Sequence, residues 1–203
     1  MANTNKPFGL APARTIGGTW GEQATRYYIV STDPNAYYIG DAVLSAAGGD
    51  TLGTPAVIKA TSGTETLRGV IVGVEPANQL QASLVGSALN LENLYIPATK
   101  AHDYYVYVVD DPMVVFTVQG DATATKQIAS SCNKNFSLTV AAGATAQSLS
   151  GTVMASASLD VTATLNMKAM GLEQVPGNAF GAYAIWRCMI NVHELKSVGT
   201  LGV

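Results

Sequence analysis

The chain has 203 residues, of which 48% are hydrophobic and 12% charged, and its formal net charge at pH 7 is −3. This length suits one large domain or two small ones, and the hydrophobic share is enough to bury a core. The charged fraction is about half the usual one, which leaves a surface of small side chains that suits a protein bound to neighbours. The acidic balance and the lack of a basic run argue against a nucleic-acid partner.

The sequence predicts neither a secretion signal nor a membrane-spanning segment. Its opening residues, MANTNKPF, have no apolar stretch after the lysine. The chain also has no run of about 18 consecutive apolar residues, the length that a membrane-spanning helix needs. Without an export signal, the two cysteines, Cys132 and Cys188, are expected to be free thiols.

Residues 1–25 are predicted to form an extended N-terminal arm, because prolines and glycines interrupt every apolar pattern there. Three apolar side chains in this segment, Phe8, Leu10 and Trp20, are anchors that an unstructured tail would not need. We therefore expect the arm to dock, either on its own body or on a partner.

Residues 26–75 are predicted to be all-β. Short apolar or β-branched segments alternate there with turn signals, which is typical of a barrel or sandwich. The run RGVIVGV at 68–74 has apolar side chains at both odd and even positions, so it should be an inner strand covered on both faces. Residues 77–99 fit either a short helix or an irregular linker, and the division we predict is a small barrel with its linker at 26–99.

Two tyrosine pairs flank a polar break in YYIVSTDPNAYYIGD, residues 27–41. Asp33-Pro34-Asn35 favours a type I turn between two extended segments. One member of each pair could fill the barrel while the other contacts a neighbour, since tyrosine is enriched at interfaces. The alternative, that all four rings pack within the chain, stays open.

Residues 100–203 are predicted to be a second β region, resembling a jelly roll or sandwich. YYVYVV at 104–109 should be a strand that ends in a turn at Asp110-Asp111-Pro112. In AIWRCMINVHEL, 184–195, the alternation should turn Trp186, Cys188 and Ile190 toward the core. Whether the two β regions are one domain or two stays open.

The sequence predicts no catalytic, cofactor or metal site, and therefore no enzyme. Asp110 and Asp111 are adjacent in an extended chain, so their carboxylates diverge and suit a turn better than acid–base chemistry. Cys188 and His193 lie five residues apart and should take opposite faces of a strand. The cysteines and histidines lack the spacing of a zinc site, and no G-x-S-x-G motif is present.

Five stretches of the chain resemble the small structural proteins of tailed-bacteriophage heads known as cement or decoration proteins. They run in the same order, from about residue 7 to residue 195: PFGLAPAR at 7–14, RYYIVSTDPNAYYIGDAV at 26–43, LRGVIVGV at 67–74, YVYVVDDPMVVFTVQ at 105–119 and MKAMGLEQVPGNAFGAYAIWRCMINVHEL at 167–195. These motifs are structural and not catalytic.

The resemblance implies a virion protein on the capsid exterior, made in the bacterial host cytoplasm, with a β-barrel or jelly-roll body that forms a homodimer or homotrimer. It would bind the major capsid protein and bridge neighbouring capsomers, without nucleic acid or membrane as a partner. The expected fold is thus all-β, with an extended N-terminal arm that docks on the capsid. The side chains expected to contact the capsid or another partner are Phe8, Leu10, Arg14, Trp20, Tyr28 and Tyr38.

Deletion of residues 1–20 should weaken capsid binding while leaving the body folded.

Three alternative functions remain. The first is another phage structural role, such as a head-fibre base or a tail-tube subunit, the second is a sugar-binding β-sandwich module, and the third is a hydrolase. Exposed tryptophan or tyrosine on a concave face would favour sugar binding, and a pocket joining nucleophile, base and orienter would favour the hydrolase.

Overall fold

The computed structural model describes residues 3–61, 63–75, 95–100, 102–143 and 148–196. These residues form β strands and two short 3₁₀ turns and contain no α-helix, which confirms the all-β prediction. The strands are β1 Ala11–Thr15, β2 Thr25–Ile29, β3 Tyr37–Tyr38, β4 Ala42–Gly49, β5 Pro55–Lys59, β6 Gly69–Glu75, β7 Tyr95–Ile96, β8 Tyr104–Val109, β9 Val114–Gln119, β10 Asn135–Thr139, β11 Val153–Asp160, β12 Met167–Leu172 and β13 Ile185–Ile190.

Five strands close into a barrel in the order β2-β5-β4-β6-β8. All neighbours are antiparallel except β2 and β5, which run parallel at Tyr28 and Ala56. Closure pairs every barrel strand on both sides, so the barrel presents no free sheet edge. Its core is aliphatic and aromatic: Tyr27, Ile29, Tyr37, Val43, Val57, Ile71, Val74, Ile96, Val106 and Val108.

The second body is a six-stranded antiparallel sheet in the order β1-β9-β13-β12-β10-β11. A bridge from Gly120, directly after β9, to Met154 on the edge strand β11 brings β11 close to the second strand of this sheet, so the sheet curls on itself. Trp186, Cys188 and Ile190 on β13 are buried, which confirms the predicted alternation. Both cysteines are free, as expected.

Strand β6 lies between the two cores. Val70 belongs to the core of the six-stranded sheet, whereas its neighbour Ile71 belongs to the barrel core. This confirms the prediction of an inner strand with both faces covered, since adjacent strand residues point to opposite faces. The barrel and the sheet therefore share a continuous apolar contact through β6.

The two bodies are interleaved along the sequence. Strand β8 lies within the second predicted region, 100–203, yet it pairs with both β2 and β6 and so completes the barrel. The barrel therefore does not end at residue 99. Strand β7 lies within 77–99, where a short helix or an irregular linker is predicted, and it pairs with β3. Residues 76–94, which include most of that predicted segment, lie outside the described residues.

The predicted extended arm at 1–25 is not confirmed, because its described part is hydrogen-bonded to the body. Ala11 and Thr15 on β1 pair with Thr117 and Val114 on β9. Leu10 is buried, and its amide donates to the Gly40 carbonyl at 2.9 Å. Of the two docking options, its own body or a partner, the structure uses the first.

Glycine is required where this segment crosses the start of β4. Gly9 has φ +73° and Gly40 has φ +91°, both in the left-handed region that glycine tolerates best. A Cβ on Gly9 would also lie 2.6 Å from the Gly40 carbonyl oxygen. The backbones approach so closely that neither position has room for a side chain.

Candidate protein-binding surface

The outside of the barrel carries an aromatic surface on β2 and β8. The alternation of β2 turns Tyr27 and Ile29 into the core, so Arg26 and Tyr28 point outward. On β8, Val106 and Val108 point inward and leave Tyr105 and Tyr107 outside. The register of the two strands places Arg26 opposite Tyr107 and Tyr28 opposite Tyr105. We call these four residues the tyrosine strip.

The members of the tyrosine strip hold one another in place. The Arg26 guanidinium carbon lies 3.5 Å from the centroid of the Tyr105 ring, and the Tyr28 and Tyr105 ring centroids are 5.8 Å apart. Two Arg26 nitrogens donate to the Glu75 carboxylate at 2.6 and 3.2 Å. Such a stacked, two-point arrangement fixes the arginine better than a single ion pair could.

Two of the three tyrosine hydroxyls in the strip, those of Tyr28 and Tyr105, are bound by carboxylates. The Tyr105 hydroxyl donates to Asp50 at 2.7 Å. Partial burial and a hydrogen bond to Asp103 raise the pKa of Tyr28 to about 12, so this ring stays neutral at physiological pH. The strip is thus an ordered surface that is amphipathic, with apolar ring faces and polar edges.

A projecting leucine adjoins the strip. The Asp50 carboxylate accepts hydrogen bonds from the backbone amides of Leu52 and Thr54 at 2.9 and 2.7 Å. These bonds, together with the one from Tyr105, lower the pKa of Asp50 to about 2. The β4–β5 turn is therefore rigid, and at its tip Leu52 is 86% exposed. No other exposed large hydrophobic side chain among the described residues is as open.

Three of the predicted contact residues, Phe8, Leu10 and Trp20, line one apolar groove of about 440 Å³. The remaining lining residues are also apolar: Ala11, Pro12, Ile39, Val72 and Leu149. Leu10 is buried at the base, whereas Phe8 and Trp20 are half-buried. The structure thus brings these anchors together, but on the chain's own body.

The other three predicted contact residues are dispersed. Arg14 is exposed on β1, and Tyr28 belongs to the tyrosine strip. Tyr38 is buried and stacks on Tyr95 with ring centroids 5.5 Å apart, because β3 pairs with β7. For the second tyrosine pair, both rings therefore pack within the chain.

Sequence reasoning missed Arg26, Tyr105, Tyr107 and Leu52. The alternation in YYVYVV already places Tyr105 and Tyr107 on the same face of one strand. The alternation in RYY likewise places Arg26 and Tyr28 on the same face of another strand. What was missing was the pairing of β2 with β8 across about 75 residues of chain, which no local pattern encodes.

The carboxylates considered for catalysis have structural roles. Asp110 accepts hydrogen bonds from Tyr27 at 2.7 Å and Arg68 at 3.3 Å, while Asp111 caps the turn through the Met113 amide.

Burial raises the pKa of the Cys188 thiol. Across the described ranges, no group of three metal-ligating side chains occurs. No helix in that part of the chain has the length and hydropathy to cross a membrane.

Comparisons with family models, with curated proteins and with solved structures found no match to this chain.

Proposed function

We propose that this chain is a virion structural protein of a tailed bacteriophage. It binds the outer surface of the major capsid protein lattice and cements neighbouring capsomers. The observation that carries the proposal is the tyrosine strip, an ordered array of Tyr28, Tyr105, Tyr107 and Arg26 on the barrel exterior. The resemblance of five sequence stretches to head cement proteins is the reason for choosing the major capsid protein as the partner.

The composition of the strip favours a protein partner. Tyrosine and arginine are enriched in the buried centres of protein interfaces, where a few such residues carry most of the binding energy. Here hydrogen bonds to Glu75 and Asp50 already restrain the side chains of Arg26 and Tyr105. Binding therefore costs less side-chain entropy than it would for free side chains.

The strip also favours a protein lattice over a sugar. Its rings lie on the outside of a closed barrel, which is a convex surface, and sugar binding would be favoured by rings on a concave face. A convex strip with the projecting Leu52 beside it fits against the surface or seam of another protein.

Cementing follows from mass action. A specific contact buries roughly 1,200–2,000 Å² in total. A subunit that binds the assembled shell and not the loose capsid protein stabilises the shell by linkage. If the chain is a homodimer or homotrimer, its several weak contacts add through effective concentration.

The experiment compares two matched variants on heads that lack this chain. Tyr107→Ala removes a strip residue that is 39% exposed, and Phe180→Ala removes an aromatic residue outside the strip that is 43% exposed. In a co-sedimentation titration, Tyr107→Ala should weaken binding by about tenfold or more, a typical loss at an interface centre. Phe180→Ala should bind like the unmodified chain.

Equal binding by both variants would show that the tyrosine strip is not part of the interface. Absence of binding by the unmodified chain would refute the cement role. Purified chain that assembles by itself into stacked rings or tubes would instead favour a tail-tube subunit.

A further inference from the structure

A carboxyl group and an amine meet inside the molecule where β4 begins and β5 ends. Asp41 directly precedes β4, Lys59 is the last residue of β5, and the Lys59 Nζ lies 2.7 Å from Asp41 Oδ2. Both side chains are buried. The backbone bond from Ala60 to Ala42, at 2.9 Å, holds the two strand ends in this register.

The Asp41 carboxyl is surrounded by hydrogen-bond donors. The Tyr38 amide donates to Oδ2 at 2.9 Å, and the Ser150 hydroxyl donates to Oδ1. Donors aimed at both oxygens would stabilise the negative charge that develops on oxygen when a nucleophile attacks the carbon between them. Burial outweighs these donors and raises the pKa of Asp41, which makes the neutral acid, the reactive form of a carboxyl group, easier to form.

The Lys59 amine is held in place beside the Asp41 carboxyl group. Its Nζ also donates to the Ala36 carbonyl at 3.1 Å and lies 5.5 Å from the centroid of the Tyr38 ring. Fixing the amine within hydrogen-bond distance of the carboxyl group favours their reaction, since well-oriented intramolecular pairs reach effective molarities of about 10⁵–10⁸ M.

We propose that Asp41 and Lys59 form a covalent modification site, at which the two side chains condense into an intramolecular isopeptide bond. A proton passes from the Lys59 ammonium to the Asp41 carboxylate, and the freed Nζ lone pair attacks Cγ. The C–N bond forms, the C–O bond breaks, and the hydroxyl takes a second amine proton and leaves as water. No oxidant or reductant is needed.

The released water has a route outward. Lys59, Tyr38 and Ala36 line a cavity of about 360 Å³ that also borders Pro34 and Thr61 at the surface. Thr61 and Pro34 are exposed, so the cavity reaches solvent.

Lys100, a second lysine with a buried side chain, shows why this site is distinctive. The Lys100 Nζ lies 3.7 Å from the nearest Asp33 carboxylate oxygen, and its closest partners are the backbone carbonyls of Asp33 and Asn35 at 2.6 and 2.7 Å. Lys100 is thus bound by carbonyls, whereas Lys59 is aimed at a carboxyl group. Lys100 serves as the internal comparison.

The test is the intact mass of the purified, denatured chain, followed by peptide mapping. The folded chain should lose one water, about 18 Da, relative to its sequence, and a single linked pair of peptides should contain Asp41 and Lys59. Lys59→Arg keeps the charge but lacks the amine and should show the full mass. Ser150→Ala should slow the mass loss after refolding.

A chain that keeps its full sequence mass after prolonged incubation in the folded state overturns the proposal. So does a loss of water that persists in Lys59→Arg or that maps to other residues. The measurement needs no capsid, so it succeeds or fails independently of the cement function.

Discussion

Single buried polar side chains do much to hold the loops of this protein in place. The Lys100 side chain is fully buried, and its ammonium donates to the carbonyls of Asp33 and Asn35. This fixes the loop that contains the predicted Asp-Pro-Asn turn. Asp33 in turn accepts hydrogen bonds from the Asn35 amide and the Tyr37 hydroxyl.

Replacing Lys100 by methionine should destabilise the chain, because the two carbonyls lose a buried donor. We expect the free energy of unfolding to fall by about 1–3 kcal/mol. Urea denaturation followed by tryptophan fluorescence measures it. Lys126→Met is the matched control, since Lys126 also donates to backbone carbonyls but is exposed. A Lys100→Met chain as stable as the unmodified one would contradict this role.

His193 should make the stability of the chain depend on pH. Burial, with Lys196 and Arg68 nearby, lowers the pKa of His193 to about 4 from its usual 6.5. Between these values the unfolded chain binds a proton that the folded chain does not, so stability falls as pH drops from about 6.5 to about 4. The loss should be on the order of 2–3 kcal/mol.

Urea titrations at pH 7 and pH 4.5 measure this loss. His193→Asn should reduce the difference between the two pH values, whereas His102→Asn, at the only other histidine, should leave it in place. An unchanged difference in His193→Asn would assign the pH dependence to other groups.

At the scale of the elements, the N-terminal segment is part of the body. Strand β1 forms an edge of the six-stranded sheet, and Leu10 is part of its core. Gln119, which is buried, donates to the Thr4 carbonyl at 2.8 Å and accepts from the Lys6 amide at 3.0 Å. The segment is therefore integrated from residue 4 onward.

Deletion of residues 1–20 should consequently destabilise the body, which revises the sequence-based expectation that the body stays folded. The deletion exposes β9 and removes Leu10, and truncating a buried leucine alone costs about 2–5 kcal/mol. Thermal unfolding measures the effect, with removal of residues 1–2 alone as the control. A truncated chain with an unchanged Tm would contradict the integrated role.

Local sequence patterns predicted the strands and their buried faces better than they predicted which strands pair with one another. Alternation correctly placed Trp186, Cys188 and Ile190 in the core, and the mixed parity of 68–74 correctly predicted a strand covered on both faces. The packing of Tyr38 within the chain could not be predicted locally, because its stacking partner, Tyr95, lies 57 residues away. The tyrosine strip was missed for the same reason, since strand pairing across long separations leaves no local signal.

At the scale of the whole molecule, the barrel and the curled sheet share β6 and leave the tyrosine strip on the outside. Tyr105 is hydrogen-bonded in the strip, while Tyr107 and Leu52 are exposed. The proposed cement function requires a second protein surface against this face of the barrel.

Electron cryo-microscopy of the phage particle that carries this chain tests that claim most directly. We expect density for the chain on the outer capsid lattice, with Tyr107 and Leu52 against the major capsid protein at the seam between capsomers. Particles whose shell lacks the chain, or a bound chain whose tyrosine strip faces solvent, would contradict it.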